Sequence, residues 1–292
     1  MQNIKKHLIL SLSLLPILAI AQESSYKIYY TAAQKEISLT ELITAAEHTD
    51  VIFFGEEHND SVAHSLQLEV FKGLHHIHGP GLALSMEMFQ TDVQPVLTEY
   101  LAGWITEKNL QTDARPWKNY KDYRPLVEYA KENKLYVLAA NAPSRYTNRV
   151  ARAGIASLAE LPKQSKKLLA PLPIDTLTGT YYEKFIGLLG GHEGMGNMKI
   201  YQSQSVWDAT MAWQIAQLAK KHAVKQVLHL NGRFHSDEKL GTYAQLQRYA
   251  KKLKLLNITS FSDTDFDHPQ WEKWLHLGDF IIITDPSAKR SF

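Results

Sequence analysis

The sequence predicts an α/β fold, in which a mostly parallel central sheet is flanked by helices and a smaller all-helical insertion is present. Six short apolar runs lack strict alternation of apolar and polar residues, which is typical of strands covered on both faces. Helical periodicity fills most of the intervals between them, and this is the pattern of βαβ units. The predicted strands are Val51–Phe54, Gly81–Met86, Leu135–Ala140, Gln226–Leu230, Leu255–Thr259 and Phe280–Thr284.

The domain organisation follows from the one interval that departs from this pattern. The stretch from about 143 to 224 contains several helix patterns and no convincing strand, so we expect a helical insertion there. The α/β core then comprises about residues 50–142 and 225–285. A length of 292 residues suits one large domain with such an appendage, and we assign residues 22–292 to a single domain.

The first 21 residues have the pattern of an export signal. Lys5 and Lys6 give a positive start, an apolar stretch rich in Leu and Ile follows, and residues 19–21 read Ala-Ile-Ala, a small-x-small cleavage site. The apolar stretch is short for a membrane anchor and is interrupted by Ser and Pro. We therefore predict a signal peptide over residues 1–21, cleaved before Gln22, and a periplasmic or secreted protein.

Composition excludes several classes of protein. The chain has no cysteine, which rules out a disulfide scaffold, a thiolate nucleophile, Cys-ligated metal and a Cys-anchored lipoprotein. The formal net charge is +2, and removal of residues 1–21 takes away two lysines and no acid. The mature chain is therefore electrically balanced, whereas nucleic-acid-binding proteins usually carry a basic surplus. We expect no nucleic-acid partner.

Polar residues follow the predicted strands. Glu56 and His58 come after the first strand, Glu87 after the second, Asn141 after the third and His235 after the fourth. Because parallel strands end at one edge of a sheet, we expect these side chains to share a cleft, with His58 and His235 close together. The carboxylate and imidazole set of Glu56, His58, Glu87 and His235 suits either a divalent transition metal or proton transfer. The alternative is that each is an ordinary turn residue or a helix N-terminal partner.

The insertion opens with a cluster of cationic residues around one tyrosine. Arg145, Arg149 and Arg152 recur at helical spacing, and Tyr146 lies three residues before Arg149. Guanidinium groups bind carboxylates, and nearby positive charge favours the phenolate form of tyrosine. The pattern indicates an anion site, and the alternative is a solvated basic helix face.

Two further features lie downstream in the insertion. His192 stands in a glycine-rich loop that lacks the Gly-Lys-Ser/Thr of a phosphate-binding loop. Gln204 and Asp208 share the stripe of a predicted helix over Ser203–His222, whose lower half is apolar. This polar pair either faces a site or is a satisfied pair in the core.

Taken in order, these segments resemble the ChaN family of exported haem-binding proteins. That family is part of the haem-uptake/Tiki superfamily, which also contains membrane metalloproteases. The resemblance covers about residues 50–235. It is carried by Gly55-Glu56-Glu57-His58 with His64 and Gln67, Ser85–Phe89 with Gln94, Trp117, Tyr123–Leu126, Ala139–Arg145, Gln204–Ala212 and Asn231–His235.

The resemblance implies a haem-binding protein of haem or iron uptake, and it favours a binding protein over an enzyme without deciding between them. In the family's described member, haem lies at a dimer interface with tyrosine ligation, so haem, a homodimer and a membrane haem-uptake system are the implied partners. The matching residues place a strand-end polar cluster at Glu56, His58, His64, Glu87, Asn141, Gln204, Asp208 and His235.

Haem needs an axial ligand, and without Cys this is Tyr, His or Met. Tyr146 is the first candidate, with Arg145 and Arg149 as partners of the haem propionates, and His192 is the second.

The alternative function is a metal-dependent hydrolase or protease of the Tiki type. Glu56, His58, Glu87 and His235 would then be the metal and acid–base residues. No His-Glu-x-x-His helix is present, so such an enzyme would not be an ordinary zincin. A third interpretation is a binding module in which the polar cluster only lines a ligand pocket.

Overall fold

The computed structural model describes residues 25–190, 195–221 and 223–292, which carry an eight-stranded sheet. The strands are β1 (Tyr26–Tyr30), β2 (Lys35–Ile37), β3 (Val51–Glu56), β4 (Leu82–Gln90), β5 (Tyr136–Asn141), β6 (Gln226–Gly232), β7 (Leu255–Ser262) and β8 (Phe280–Thr284). Their order in the sheet is β2-β1-β8-β7-β3-β6-β4-β5. Strands β3 to β8 pair in parallel, whereas β1 is antiparallel to β2 and β8. The predicted α/β class is confirmed.

Helices fill the intervals between the strands. They are α1 (Leu39–Ala46), α2 (Ser61–His78), α3 (Gln94–Leu101), α4 (Glu107–Asp113), α5 (Tyr120–Glu132), α6 (Ser144–Ala153), α7 (Lys163–Lys166), α8 (Thr180–Leu188), α9 (Met195–Ala219) and α10 (Gly241–Tyr249). Helices α6 to α9 belong to the stretch predicted as an insertion, and the second half of α9 lies on the sheet. Within the described ranges, no helix combines the length and the apolar character needed to cross a bilayer.

Both faces of the sheet are covered, which explains why its strands lack alternation. Ile52 and Phe54 of β3 point into a core formed with α2 and α5. Val51 and Phe53, the intervening residues, point into a second core formed with α9 and α10. All four side chains are fully buried. A strand between two apolar layers must be apolar at every position.

The two edges of the sheet are built differently. Strands β1 and β2, which precede the predicted core, form a short antiparallel hairpin in which Ile28 is the one fully buried side chain. At the opposite edge, the amide of Gln94 bonds the free side of β5. Its Nε2 donates to the carbonyl of Val137 at 2.9 Å, and its Oε1 accepts from the backbone N–H of Ala139 at 2.7 Å.

Helix α2 follows the carboxyl end of β3 and is capped by Asp60. The Oδ1 atom of Asp60 accepts hydrogen bonds from the backbone N–H groups of Val62 and Ala63, both at 3.0 Å. The other oxygen accepts a hydrogen bond from Thr284 at the end of β8. Asp60 is 2% exposed, so one buried carboxylate joins a helix start to a strand end.

We expect Asp60→Ala to lower the free energy of unfolding by about 2 kcal/mol or more, because it removes a helix cap and a buried acceptor together. Ser38→Ala is the matched control, since Ser38 caps α1 at an exposed position and its loss costs about 1 kcal/mol. Urea unfolding of both variants measures the difference. Equal decreases in the free energy of unfolding of the two variants would show that the hydrogen bond from Thr284 to Asp60 contributes nothing to stability.

Candidate functional site

The carboxyl edge of the sheet holds a buried hydrogen-bond network around Glu56, the last residue of β3. One carboxylate oxygen of Glu56 accepts from His58 Nδ1 at 2.9 Å and from the Tyr123 hydroxyl, and the other accepts from Gln67 Nε2. His64 Nε2 lies 3.4 Å from that second oxygen. Burial opposes ionisation, but the hydrogen bonds from His58 and His64 outweigh it and lower the pKa of Glu56. Glu56 is therefore an ionised carboxylate that is saturated with donors.

His58 is the member of this network that reaches solvent. Its side chain is 40% exposed, while that of Glu56 is fully buried. The edge of its ring packs against Trp117, with 4.8 Å between ring centroids. Burial disfavours the charged ring, but the hydrogen bond to Glu56 and the charges of Glu87 and Glu56 raise the pKa of His58. A proton can thus be held at the mouth of the cluster and exchanged with solvent.

Glu87 reaches the cluster because β4 is bulged at that point. Met86 pairs with Ala139 of β5, and the next paired residue of β4 is Gln90, opposite Asn141. The extra residues turn the local backbone, which is how a bulge redirects a side chain. Glu87 Oε2 then accepts the backbone N–H of Gly232 at 2.7 Å, so the carboxylate links β4 to the end of β6.

A second network surrounds His235, which follows β6. Its Nδ1 donates to Asp208 Oδ1 at 2.7 Å, and its Nε2 lies 3.4 Å from Glu87 Oε1. Burial opposes protonation, but the charges of Glu87 and Asp208 outweigh it and raise the pKa of His235 to about 10. Burial likewise opposes ionisation of Glu87, yet His235 and His58 lower its pKa to about 2. At neutral pH the centre is an imidazolium ion between two carboxylates.

Asp208 is held in place by three further groups. Its Oδ1 also accepts from the Thr242 hydroxyl at 2.8 Å, and its Oδ2 accepts from the Tyr181 hydroxyl at 2.7 Å. The Gln204 amide donates to the same Tyr181 oxygen at 3.1 Å and lies 3.2 Å from His235 Nδ1. Gln204 and Asp208 of α9 are therefore parts of the His235 network.

The two networks meet at Gly232. A β-carbon placed on this residue would lie 2.7 Å from His58 Nε2 and 3.7 Å from Glu87 Oε2. Only glycine leaves room for the His58 ring there. The structure thus brings together Glu56, His58, Glu87 and His235, and it attaches His64, Gln204 and Asp208 to them.

The metal site predicted from Glu56, His58, Glu87 and His235 does not form in this arrangement. Within the described parts of the chain, no group of three or more His, Asp or Glu side chains is placed to hold a metal ion. The physical reason is that both oxygens of Glu56, Nδ1 of His58 and Oε2 of Glu87 are already hydrogen-bonded to neighbouring protein groups.

Other residues stand apart from the cluster or were missed by the sequence. Asn141 ends β5, and its side chain bonds the backbone N–H of Ala142. His192 lies outside the described residues. The hydroxyls of Tyr123 and Tyr181 donate to the carboxylates of Glu56 and Asp208. Neither tyrosine is among the site residues that the sequence predicts. Tyr123 lies three residues after Tyr120 on the buried face of α5, a spacing that could have indicated it.

Two of the three arginines of α6 are paired with carboxylates of this chain, while Arg152 Nε donates to the backbone carbonyl of Asn148. Arg145 pairs with Asp92, and its guanidinium carbon lies 4.5 Å from the centre of the Tyr146 ring. Arg149 pairs with Glu160. Tyr146 is half-buried and packs against a hydrophobic cluster that contains Val150, Leu158, Leu169 and Val206. The structure therefore keeps Tyr146 beside a cation but leaves neither arginine free.

An apolar groove opens beside the same hydrophobic cluster. Its volume is about 670 Å³. Its lining residues are Leu158, Ala159, Lys163, Lys166, Lys167, Leu169, Ala170, Pro171, Leu172 and Trp213. The groove is thus an apolar surface with three lysines, a combination suited to an amphipathic anion.

A family model places the chain in a known class. The model of the family described as haem-binding uptake, Tiki superfamily, ChaN matches residues 42–246, and the chain belongs to this family. A search of curated protein sequences gives no significant match.

Several solved structures resemble the chain to different degrees. ChaN of Campylobacter jejuni, described with cofacial haem bound, is 21% identical with a TM-score of 0.69, over 90% of this chain and 98% of that one. The type III effector HopBA1 is 13% identical with a TM-score of 0.48, over 85% of this chain and 94% of that one. A Bacillus cereus protein is 15% identical with a TM-score of 0.45, over 77% and 70%. The first likeness confirms the fold.

We expect the stability of the protein to fall as the pH rises from 6.5 towards 10. The pKa of folded His235 lies above its usual value of 6.5. The contribution of His235 to the free energy of unfolding is therefore complete below pH 6.5. This contribution, at least about 1 kcal/mol, is lost as the pH approaches 10. Urea unfolding across this range should show the decline in the wild type and a flatter curve in His235→Gln.

His268→Gln is the matched control, because His268 is an exposed histidine far along the chain from the cluster. Its pH profile should overlay that of the wild type. A His235→Gln profile with the wild-type slope would show that His235 is not a buried imidazolium.

Proposed function

We propose that this protein binds haem and serves in haem or iron uptake. The observation that carries the proposal is the family match, which covers residues 42–246 and therefore includes strands β3 to β6, the strand-end cluster and the helices of residues 143–224. The alternative function is a metal-dependent hydrolase. Neither the similar solved structures nor the geometry of the described residues favours it.

The residues of this chain fit the chemistry of haem. Haem is a planar apolar ring that carries two carboxylates and an iron atom needing an axial ligand. Tyr146 supplies a phenolic oxygen at a half-buried position, on the hydrophobic cluster that also lines the apolar groove. We assign Tyr146 as the axial ligand. Arg145 orients its ring by stacking on it, and Asp92 in turn holds Arg145.

The oligomeric state of the protein and the destination of its ligand belong to the same proposal. ChaN of Campylobacter jejuni is described with cofacial haem, and two haems face to face are readily held between two copies of a chain. We propose a homodimer in the haem-loaded state, delivering its ligand to a membrane uptake system.

We expect haemin titrated into the pure protein to give a Soret band at micromolar protein concentration. Tyr146→Phe, which removes the ligand oxygen and keeps the ring, should weaken binding by about ten-fold or more, equivalent to 1.4 kcal/mol. Tyr249→Phe is the control, since Tyr249 packs on the same hydrophobic cluster. Light scattering on the same samples reports whether the mass doubles on loading.

Absence of a Soret band in the wild type would contradict haem binding. Equal affinity of Tyr146→Phe and the wild type would refute the choice of ligand alone.

Export is the remaining part of the proposal. We expect the protein recovered from a periplasmic or culture fraction to begin at Gln22, because residues 19–21 read Ala-Ile-Ala. Terminal sequencing by mass spectrometry measures this directly. Full-length chain found only in the cytoplasm would rule out cleavage at this site.

A further inference from the structure

The surface beside the second half of α9 carries five exposed lysines. Three of them line the apolar groove and two follow the last residue of α9: Lys163, Lys166, Lys167, Lys220 and Lys221. Among the residues that the structure describes, no carboxylate lies within ion-pair distance of any of them. Lys166 donates to the backbone carbonyl of Ala159 at 2.6 Å, which leaves its charge without a counter-ion.

The acids nearest to these lysines in the sequence are engaged elsewhere. Two stretches contain the five lysines and hold no Asp or Glu, residues 161–174 and 209–225. The acids that flank the first stretch are each paired with an arginine, Glu160 with Arg149 and Asp175 with Arg248. The surface therefore presents a concentrated positive charge, although the chain from Gln22 onwards is electrically balanced.

Apolar side chains lie among the lysines. Lys220 Nζ lies 5.7 Å from the centre of the Trp213 ring, which lines the groove. Lys221 Nζ lies 4.9 Å from the centre of the Tyr136 ring, which is 36% exposed. Leu172, at the margin of the groove, is 41% exposed and stands between two prolines that restrict its backbone. Lysine beside tryptophan, tyrosine and exposed leucine is the composition of surfaces that lie in a membrane interface.

We propose that this basic face, the five lysines with Trp213, Tyr136 and Leu172, docks the protein on a membrane that contains anionic phospholipids. The lysines contact the lipid phosphates, and Leu172 enters the boundary of the acyl chains. The groove, with a volume of about 670 Å³, has room for part of an acyl chain. A soluble polyanion would bind the lysines but would leave these apolar side chains without a partner.

Co-sedimentation with lipid vesicles tests the proposal. The protein is the chain that begins at Gln22, which contains every described residue and lacks the apolar stretch before it. Vesicles of phosphatidylcholine alone are compared with an equimolar mixture of phosphatidylcholine and phosphatidylglycerol. No haem is added, so failure of this test would leave the proposed function standing.

Two triple variants separate the basic face from the rest of the surface. The face variant carries Lys163→Gln, Lys166→Gln and Lys167→Gln. The matched control removes the same charge from exposed positions on β2, on α4 and between β7 and β8, by Lys35→Gln, Lys108→Gln and Lys273→Gln.

We expect the wild type to bind the anionic vesicles, to release them as salt is added, and not to bind phosphatidylcholine alone. The face variant should bind about ten-fold or more weakly, because each lysine near an anionic surface adds to the affinity. The control should bind like the wild type. Equal affinity of the face variant and the wild type, or equal weakening in both variants, would overturn the proposal.

The absence of cysteine from the chain allows a second measurement, of which surface meets the lipid. Leu172→Cys is labelled with an environment-sensitive fluorophore. Ser287→Cys is the control, since Ser287 is exposed after β8, which four strands separate from β5. We expect the emission of the label at residue 172 alone to shift to the blue on anionic vesicles.

A label at residue 172 that does not respond to bound vesicles would overturn the proposal, because another surface would then meet the lipid. Heparin, a polyanion without an apolar phase, should bind more weakly than the vesicles. Equally tight binding of heparin would assign the lysines to a soluble polyanion and would also overturn the membrane surface as the partner.

Discussion

The carboxylate of Glu87 is the group on which the carboxyl edge of the sheet depends. It accepts the backbone N–H of Gly232 and faces the His235 ring, so it joins the bulge of β4 to the turn after β6. A buried carboxylate costs free energy unless it is paired. Its partners supply that compensation, and the position of His235 in turn orders Asp208 of α9. Truncating Glu87 to alanine would leave a buried N–H without an acceptor and an imidazolium with one carboxylate.

Six strands were visible in the sequence because both faces of each are buried, and burial on both faces demands continuous apolar residues. Strands β1 and β2 were missed, since an edge hairpin with one fully buried residue, Ile28, carries no such signal. The ends of β3, β4 and β6 extend further than the apolar runs do. They continue through Glu56, Glu87 and Gly232, where buried polar groups hydrogen-bond to one another rather than to water.

The cluster was predictable from topology, but its chemistry was not. Parallel strands bring Glu56, Glu87 and His235 to one edge, whatever their side chains do there. Residue types alone do not determine whether donor atoms converge on an ion or bond each other, and here they bond each other. The pairing of Arg145 with Asp92 was equally hidden, because it joins residues from separate elements. Helical spacing reveals which residues share a face and says nothing of their tertiary partners.

The Gln94 amide has a consequence for association between molecules. An open edge strand is a template on which another chain can add a strand, and proteins must protect such edges from aggregation. By bonding the backbone at Val137 and Ala139, the Gln94 side chain occupies the positions that an incoming strand would need. Two copies of the chain that paired through β5 would first have to displace the Gln94 side chain. A side chain of α3 thereby protects this edge of the sheet from extension by a second copy of the chain.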